Sequence, residues 1–128
     1  MAGAATETGS RFASALASKD TAAMLALLDP QIEFRALTPR RSWEADDPQA
    51  VLEIIFGNWF DDSDSIEALE RVDTDAVADR EQLRYRLSVS NAEGSFLVEQ
   101  QGYLTAGEDG RIEWMRLVCS GYRPVAAE

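Results

Sequence analysis

Apolar side chains recur at helical spacing in the first part of the chain. This pattern predicts one helix over residues 9–18, after a frayed polar tail at residues 1–8. A second helix is expected from Asp20, a good N-cap, to about Leu28, where Asp29-Pro30 would stop it. The chain is therefore expected to open with two packed helices.

A strand and a third helix follow. Residues 31–37 alternate between apolar and polar side chains, which predicts a strand, and residues 42–44 suggest a short return strand. Asp47 and Pro48 then supply an N-cap and a proline at the first helical position. The wide apolar face after them predicts a helix that runs to about Phe60.

From residue 66 onward, apolar and polar side chains alternate with a period of two residues. Long alternating segments at residues 66–78, 82–90, 95–105 and 111–120 predict strands joined by short turns. The element order is α-α-β-(β)-α-β-β-β-β. It predicts an α+β fold in which a curved antiparallel sheet forms a cone around three N-terminal helices.

Strand register decides which side chains face the helices. A turn at residues 92–93 places Tyr85 opposite Gln100 on the inner face and Arg86 opposite Glu99 on the outer face. This pairing brings apolar residues together on one side and opposite charges together on the other. Gln100 is then a single amide among apolar neighbours.

The strand over residues 66–78 leaves two orientations open for one acidic side chain. A turn at Arg80-Glu81 would place Asp75 opposite Arg86. Glu70 has the parity of the apolar positions and could point inward, where burial would raise the pKa of its carboxyl group. A β-bulge would turn Glu70 toward solvent, and this second orientation is the favoured one.

Composition narrows the possible functions. The chain has 128 residues, enough for one domain, with 12 basic and 23 acidic residues and a net charge of −11. The absence of a basic patch argues against nucleic acid and anionic membranes as partners. No apolar run is long enough for a membrane span, and the first residues lack the features of a secretory signal, so a cytoplasmic location is expected.

The chain contains no histidine and one cysteine, Cys119. This composition removes the nucleophile systems that depend on histidine and the common zinc and iron ligand sets. No metal and no cofactor is expected. Cys119 could be a reactive thiol, but a small buried hydrophobic side chain is the favoured interpretation, because no basic group is expected beside it on the inner face of the strand.

Three segments together resemble a known family. Residues 12–34, 47–51 and 109–117 follow the order and spacing of the nuclear transport factor 2-like superfamily, which includes the SnoaL-like polyketide cyclases and the ketosteroid isomerases. The resemblance covers residues 9–123 and leaves 124–128 as a tail. It implies a cone with an internal apolar pocket, and a homodimer formed through the outer sheet face, where Trp114 is expected.

The resemblance also allows the family's catalytic groups to be compared position by position. In ketosteroid isomerases the oxyanion-hole tyrosine, the base and the protonated aspartate would fall on Phe12, Ala36 and Gln100, none of which can shuttle a proton. Members that resemble limonene-epoxide hydrolase need an inward Asp-Arg-Asp set. The nearest arginines, Arg84 and Arg86, are predicted to point outward.

The expected function is therefore binding of a small hydrophobic molecule, with a cyclase, isomerase or hydrolase of the SnoaL-like group as the enzyme classes that the resemblance allows. The alternative is a non-catalytic dimerisation or ligand-sensing module. The catalytic candidates are Tyr85, Gln100 and Glu70. Tyr85 and Gln100 could orient a ligand carbonyl or satisfy each other's hydrogen bonds. The predicted pocket comprises Phe12, Leu28, Phe34, Ala36, Trp43, Phe56, Trp59, Tyr85, Leu87, Val98, Gln100, Met115, Leu117 and Cys119.

Overall fold

The computed structural model describes residues 2–125, with side chains from residue 7 onward. The helices are α1 (Ala2–Ala17), α2 (Thr21–Leu27) and α3 (Pro48–Ile54), and a π-helix (Ile55–Trp59) continues α3. The strands are β1 (Leu28–Thr38), β2 (Arg41–Ala45), β3 (Ser65–Val77), β4 (Arg80–Asn91), β5 (Gly94–Ala106), β6 (Ile112–Cys119) and β7 (Arg123–Pro124).

The predicted first residues of the helices are confirmed for α2 and α3 and are wrong for α1. Asp20 accepts a hydrogen bond from the Ala23 amide at 3.0 Å, and Asp47 accepts one from the Ala50 amide at 2.9 Å. The start of α1 at Ala2 rather than at residue 9 corrects the expectation of a frayed tail. The alanines of this segment favour helix, which polarity alone did not suggest.

The ends of the second and third helices also differ from the prediction. Asp29 and Pro30 lie inside β1, because the chain is already extended at Leu28. Pro30 is tolerated there because β1 and β6 are out of regular register between Leu28 and Glu33. The third helix does not stay α-helical to Phe60, and its last turn is a π-helix.

The sheet has the order β2-β1-β6-β5-β4-β3, and β7 pairs with β5 beyond the end of β6. The sheet is mixed, since β1 and β6 run parallel while the other pairs are antiparallel. The prediction of a wholly antiparallel sheet was wrong for this pair. The α+β class is confirmed: three helices pack against a curved, unclosed sheet that forms a cone.

The predicted register is confirmed between β4 and β5, where Tyr85 lies opposite Gln100. It is wrong between β3 and β4. The turn lies at Ala78-Asp79, two residues earlier than expected, because Ala78 adopts a left-handed conformation with φ of 54°. Arg86 consequently faces Arg71 rather than Asp75.

Two bulges in β3 reset which of its side chains face inward. Glu67 and Glu70 are the extra residues between otherwise paired positions. The inward positions are therefore Ile66, Leu69 and Val72, spaced by three residues instead of two. No helix among the described residues is long and apolar enough to cross a membrane.

Candidate functional site

The side chains predicted to line a pocket lie on the inside of the cone. Those that are buried are Phe12, Leu28, Phe34, Ala36, Trp59, Tyr85, Leu87, Val98, Gln100, Met115 and Leu117. Trp43, Phe56 and Cys119 are only partly buried and pack against this core. The alternation of β4, β5 and β6 brings these residues to one face, and the helices cover it.

Tyr85 and Gln100 form the polar pair of the interior. They lie directly opposite each other on β4 and β5, with 0% and 1% of their surface exposed. The Tyr85 hydroxyl donates a hydrogen bond to Gln100 Oε1, while Gln100 Nε2 is buried without a partner among the described residues. Burial raises the pKa of Tyr85 well above its ordinary value, so the phenol stays neutral and keeps its proton to donate.

Trp59 contributes a second unpaired donor to the interior. It ends the π-helix, and its ring packs against Phe34 and Trp43 with centroid distances of 6.1 Å in both cases. Its backbone carbonyl accepts a hydrogen bond from the Tyr122 hydroxyl at 2.7 Å, but its indole Nε1 is buried with no partner among the described residues. Indole nitrogen can only donate.

Glu81 is a buried ionisable residue that sequence reasoning missed. Only 2% of it is exposed, and Oε2 accepts a hydrogen bond from the Gly9 amide of α1 at 3.2 Å. Burial raises the pKa of its carboxyl group to about 7, although the bond from Gly9 acts in the opposite direction. The misplaced turn hid this residue; extending the alternation of Leu83 and Tyr85 back by two positions would have found it.

The position of Glu81 separates it from the Tyr85–Gln100 pair. Glu81 and Tyr85 are four positions apart on β4, which amounts to about 13 Å between their Cα atoms. A carboxyl group at that distance cannot act on the same ligand atom as the Gln100 amide.

Glu70 does not reach the interior. It is exposed at the second β3 bulge, which places it with the solvent-facing residues. Its candidacy as an internal acid or base is therefore corrected, and the favoured outward orientation is confirmed. The bulge inserts one residue and reverses the parity on which the inward alternative depended.

The positions at which the family resemblance would place the isomerase groups are Phe12, Ala36 and Gln100, and all three are buried. None of these three side chains is an acid or a base. The buried polar residues among residues 7–125 are Thr8, Glu81 and Gln100, so this part of the chain has no inward Asp-Arg-Asp set. Arg84 and Arg86 point outward, as predicted, and pair with partly exposed carboxylates.

Solved structures share this architecture at low sequence identity. An LEH-like epoxide hydrolase from M. tuberculosis has a TM-score of 0.69 and 12% identity, over 93% of this chain and 84% of that chain. A proposed polyketide cyclase from Xanthomonas campestris pv. campestris has a TM-score of 0.71 and 16% identity, over 90% of this chain and 89% of that chain. An NTF2-like protein from Burkholderia xenovorans LB400 has a TM-score of 0.66 and 13% identity, over 94% and 92%.

The chain has the nuclear transport factor 2-like fold. No protein-family model matches it, and no curated protein sequence does. Because the identities are low, the likeness establishes the fold and not the reaction.

The outer face of this NTF2-like sheet carries a trough of about 790 Å³. Leu37 and Val118 are neighbours on β1 and β6, lie in the trough, and are 54% and 57% exposed. Tyr103 of β5 and Arg116 of β6 face each other beside them. The outer face thus combines exposed apolar side chains with charges.

Two further features of the chain have a structural explanation. The acidic loop after the π-helix receives the Lys19 ammonium group, which donates to the carbonyl oxygens of Asp61 at 2.7 Å and of Asp64 at 2.5 Å. Cys119 is a half-buried free thiol whose sulfur accepts a bond from the Gly121 amide at 3.4 Å. Among residues 7–125, no group of three or more acidic or cysteine side chains is placed to hold a metal ion.

Proposed function

We propose that the protein binds a small hydrophobic molecule inside the cone, and that this molecule presents an acceptor oxygen, such as a carbonyl, to the interior. The observation that carries the proposal is the pair of buried N–H donors, Gln100 Nε2 and Trp59 Nε1, that have no partner among the described residues. A buried polar group without a hydrogen bond is costly to folding, and a ligand is one way to complete it.

The polarity of the two groups defines the ligand chemistry. The Gln100 oxygen already accepts a hydrogen bond from Tyr85, so only the N–H group of the amide is open to a ligand. The indole nitrogen of Trp59 can only donate. Both open positions therefore require an acceptor. Aromatic and aliphatic side chains surround them, which favours a ligand that is apolar elsewhere.

Binding without proton transfer is the activity that these residues support. By the family resemblance, Phe12 and Ala36 fall at the positions of the isomerase acid and base, and neither side chain can exchange a proton. A 3-oxo-Δ5-steroid should therefore not be isomerised above the rate without protein. Robust turnover that Gln100→Ala abolishes would contradict this assignment.

Three molecules of nearly the same shape test the ligand chemistry: 9-fluorenone with a carbonyl acceptor, fluorene with no polar group, and carbazole with an N–H donor. We expect 9-fluorenone to bind tighter than the other two by about 1–3 kcal/mol per hydrogen bond completed. Isothermal titration or native mass spectrometry provides the measurement. Equal affinity for the three molecules would contradict the proposal.

Variants identify the donors responsible. Gln100→Leu and Trp59→Phe should each reduce the preference for 9-fluorenone over fluorene while leaving fluorene binding almost unchanged. Trp114→Phe, a change on the outer face, is the matched control and should preserve the preference. A preference that survives both interior changes would mean that another group recognises the oxygen.

A second candidate function is homodimerisation through the outer sheet face. It is favoured by the exposed apolar pair Leu37 and Val118 in the trough, because exposed apolar patches rimmed by polar residues often mark protein interaction sites. We expect Val118→Glu to shift a dimer toward monomer by light scattering. Val77→Glu, at an exposed apolar position outside the trough, is the control, and a wild-type monomer at micromolar concentration would contradict the proposal.

A further inference from the structure

The contact between Glu81 and α1 is unusual because a buried carboxyl group faces a helix without a cation. Gly9 lies so close that a Cβ atom there would be 2.5 Å from Glu81 Oε2. The Gly9 amide donates to that oxygen, and Oε1 is buried with no partner among the described residues. The glycine thus allows the helix backbone to reach the carboxyl group.

The charged groups around this contact do not neutralise Glu81. On α1, Glu7 and Arg11 pair with each other at 3.3 Å and are 65% exposed. Across the sheet, Glu81 lies opposite Ala76 of β3 and Leu104 of β5, neither of which ionises.

The turn that precedes Glu81 does not place a cation next to its carboxyl group either. Asp79 is exposed, and the guanidinium of Arg80 lies 3.9 Å from the centroid of the Trp114 ring on the outer face. Among the described residues, burial and the Gly9 amide alone determine the pKa of Glu81. The charged form of Glu81 therefore has a single backbone hydrogen bond to offset its desolvation.

We propose that Glu81 is a proton-controlled latch for α1: the neutral carboxyl group holds the Gly9 turn on the sheet, and loss of its proton to solvent releases that turn. An ionised carboxylate gains water by moving out, whereas the neutral acid loses little by staying buried. The raised pKa, about 7, places this change within the neutral pH range.

Release of this turn would uncover the inner face at one end of the cone. Leu83 lies beneath Gly9, with Cδ1 3.3 Å from the position of a Cβ atom there, and Phe12 follows one turn later against Tyr85. An opening at this place gives access to the interior from the side of α1. The latch is independent of which molecule, if any, the interior binds.

The test follows individual amides by NMR in the complete protein between pH 5.5 and 8.5. We expect the Gly9 amide resonance and the Glu81 carboxyl carbon to titrate together with a midpoint near 7. Hydrogen-exchange protection of residues 9–12, corrected for intrinsic exchange, should fall about tenfold or more across this range. At every pH the amides of residues 9–12 should exchange faster than those of central β5, because the turn opens without global unfolding.

Two variants complete the experiment. Glu81→Gln keeps the shape and cannot ionise, so the pH dependence at residues 9–12 should disappear. Glu93→Gln, at an exposed turn position, is the matched control and should behave as the wild type. The latch is overturned if the protection of residues 9–12 in the wild type does not depend on pH. It is also overturned if the protection of these residues falls equally in Glu81→Gln. If Glu81→Gln does not fold, the wild-type carbon titration decides, since a midpoint near the ordinary value of 4.5 also overturns it.

Discussion

The two faces of the sheet treat polar side chains in opposite ways. On the outer face, Arg86 pairs with Glu99 at 3.0 Å, and Arg84 pairs with Asp73 at 3.5 Å, all partly exposed. On the inner face, Gln100 and Glu81 are almost fully buried, and each leaves one polar atom without a partner among the described residues. The same strands supply both faces, so the difference comes from burial and not from local structure.

This contrast indicates where the informative groups lie. Water competes for the outer ion pairs and screens them, so each contributes little to stability. An inner polar group has no such competition, and its free energy depends strongly on whether a partner is present. The few inner polar residues therefore carry the proposals on ligand and latch, although the charged residues of the outer face are more numerous.

The largest effect on stability is expected at Gly102 on β5, where the backbone of the neighbouring strand leaves no space for a side chain. A Cβ atom at Gly102 would lie 1.7 Å from the carbonyl oxygen of Arg116 on β6, so β5 and β6 would have to separate. Gly102→Ala should destabilise the protein by roughly 3 kcal/mol or more. Gly57→Ala, whose nearest neighbour would be 3.5 Å away, should change stability little. Equal urea midpoints for the two variants would contradict the close approach of β6 to Gly102.

The next effect is a dependence of stability on pH. Burial raises the pKa of Glu81 from 4.5 to about 7, so between these values the folded protein holds a proton that the unfolded chain has lost. The contribution of neutral Glu81 to the free energy of unfolding is complete below pH 4.5 and is lost as the pH rises through 7. Above pH 7, ionisation of Glu81 lowers the free energy of unfolding by about 3 kcal/mol.

Urea unfolding of the wild type and of Glu81→Gln at pH 5.5 and 8.5 measures this contribution. The difference between the two proteins should shift in favour of Glu81→Gln at the higher pH. A constant difference would show that Glu81 is not desolvated in the folded state.

A smaller effect is expected from the Tyr85–Gln100 pair. Tyr85→Phe leaves the Gln100 oxygen unpaired, and Gln100→Leu leaves the buried Tyr85 hydroxyl unpaired. Each single change should destabilise by about 1–3 kcal/mol, while the double variant should recover much of that loss. Additive losses in denaturant unfolding would indicate that the two side chains act separately.

The smallest effect belongs to the outer face. Arg86→Ala removes a half-exposed partner of Glu99, which retains a second contact with Arg123 at 3.6 Å. The loss should be about 0–1 kcal/mol and should shrink further in high salt. A loss as large as that of Gln100→Leu would remove the distinction between the two faces.

The sequence by itself determined the features that depend on neighbouring residues. The α+β order, the N-caps at Asp20 and Asp47, and the β4–β5 register with Tyr85 opposite Gln100 were all predicted. A short turn and alternating side chains fix that register, because a slip of one residue would expose the apolar set.

The tertiary structure decided what depends on contacts between distant segments. The parallel pairing of β1 with β6 joins residues some eighty positions apart, and the sequence near β1 carries no signal for it. The left-handed Ala78 and the bulges at Glu67 and Glu70 changed the β3 register, which moved Glu70 outward and Glu81 inward. Gln100 and Trp59 could be recognised as apolar-face residues, but only packing shows which of their polar atoms lack a partner, because that depends on every element around the interior.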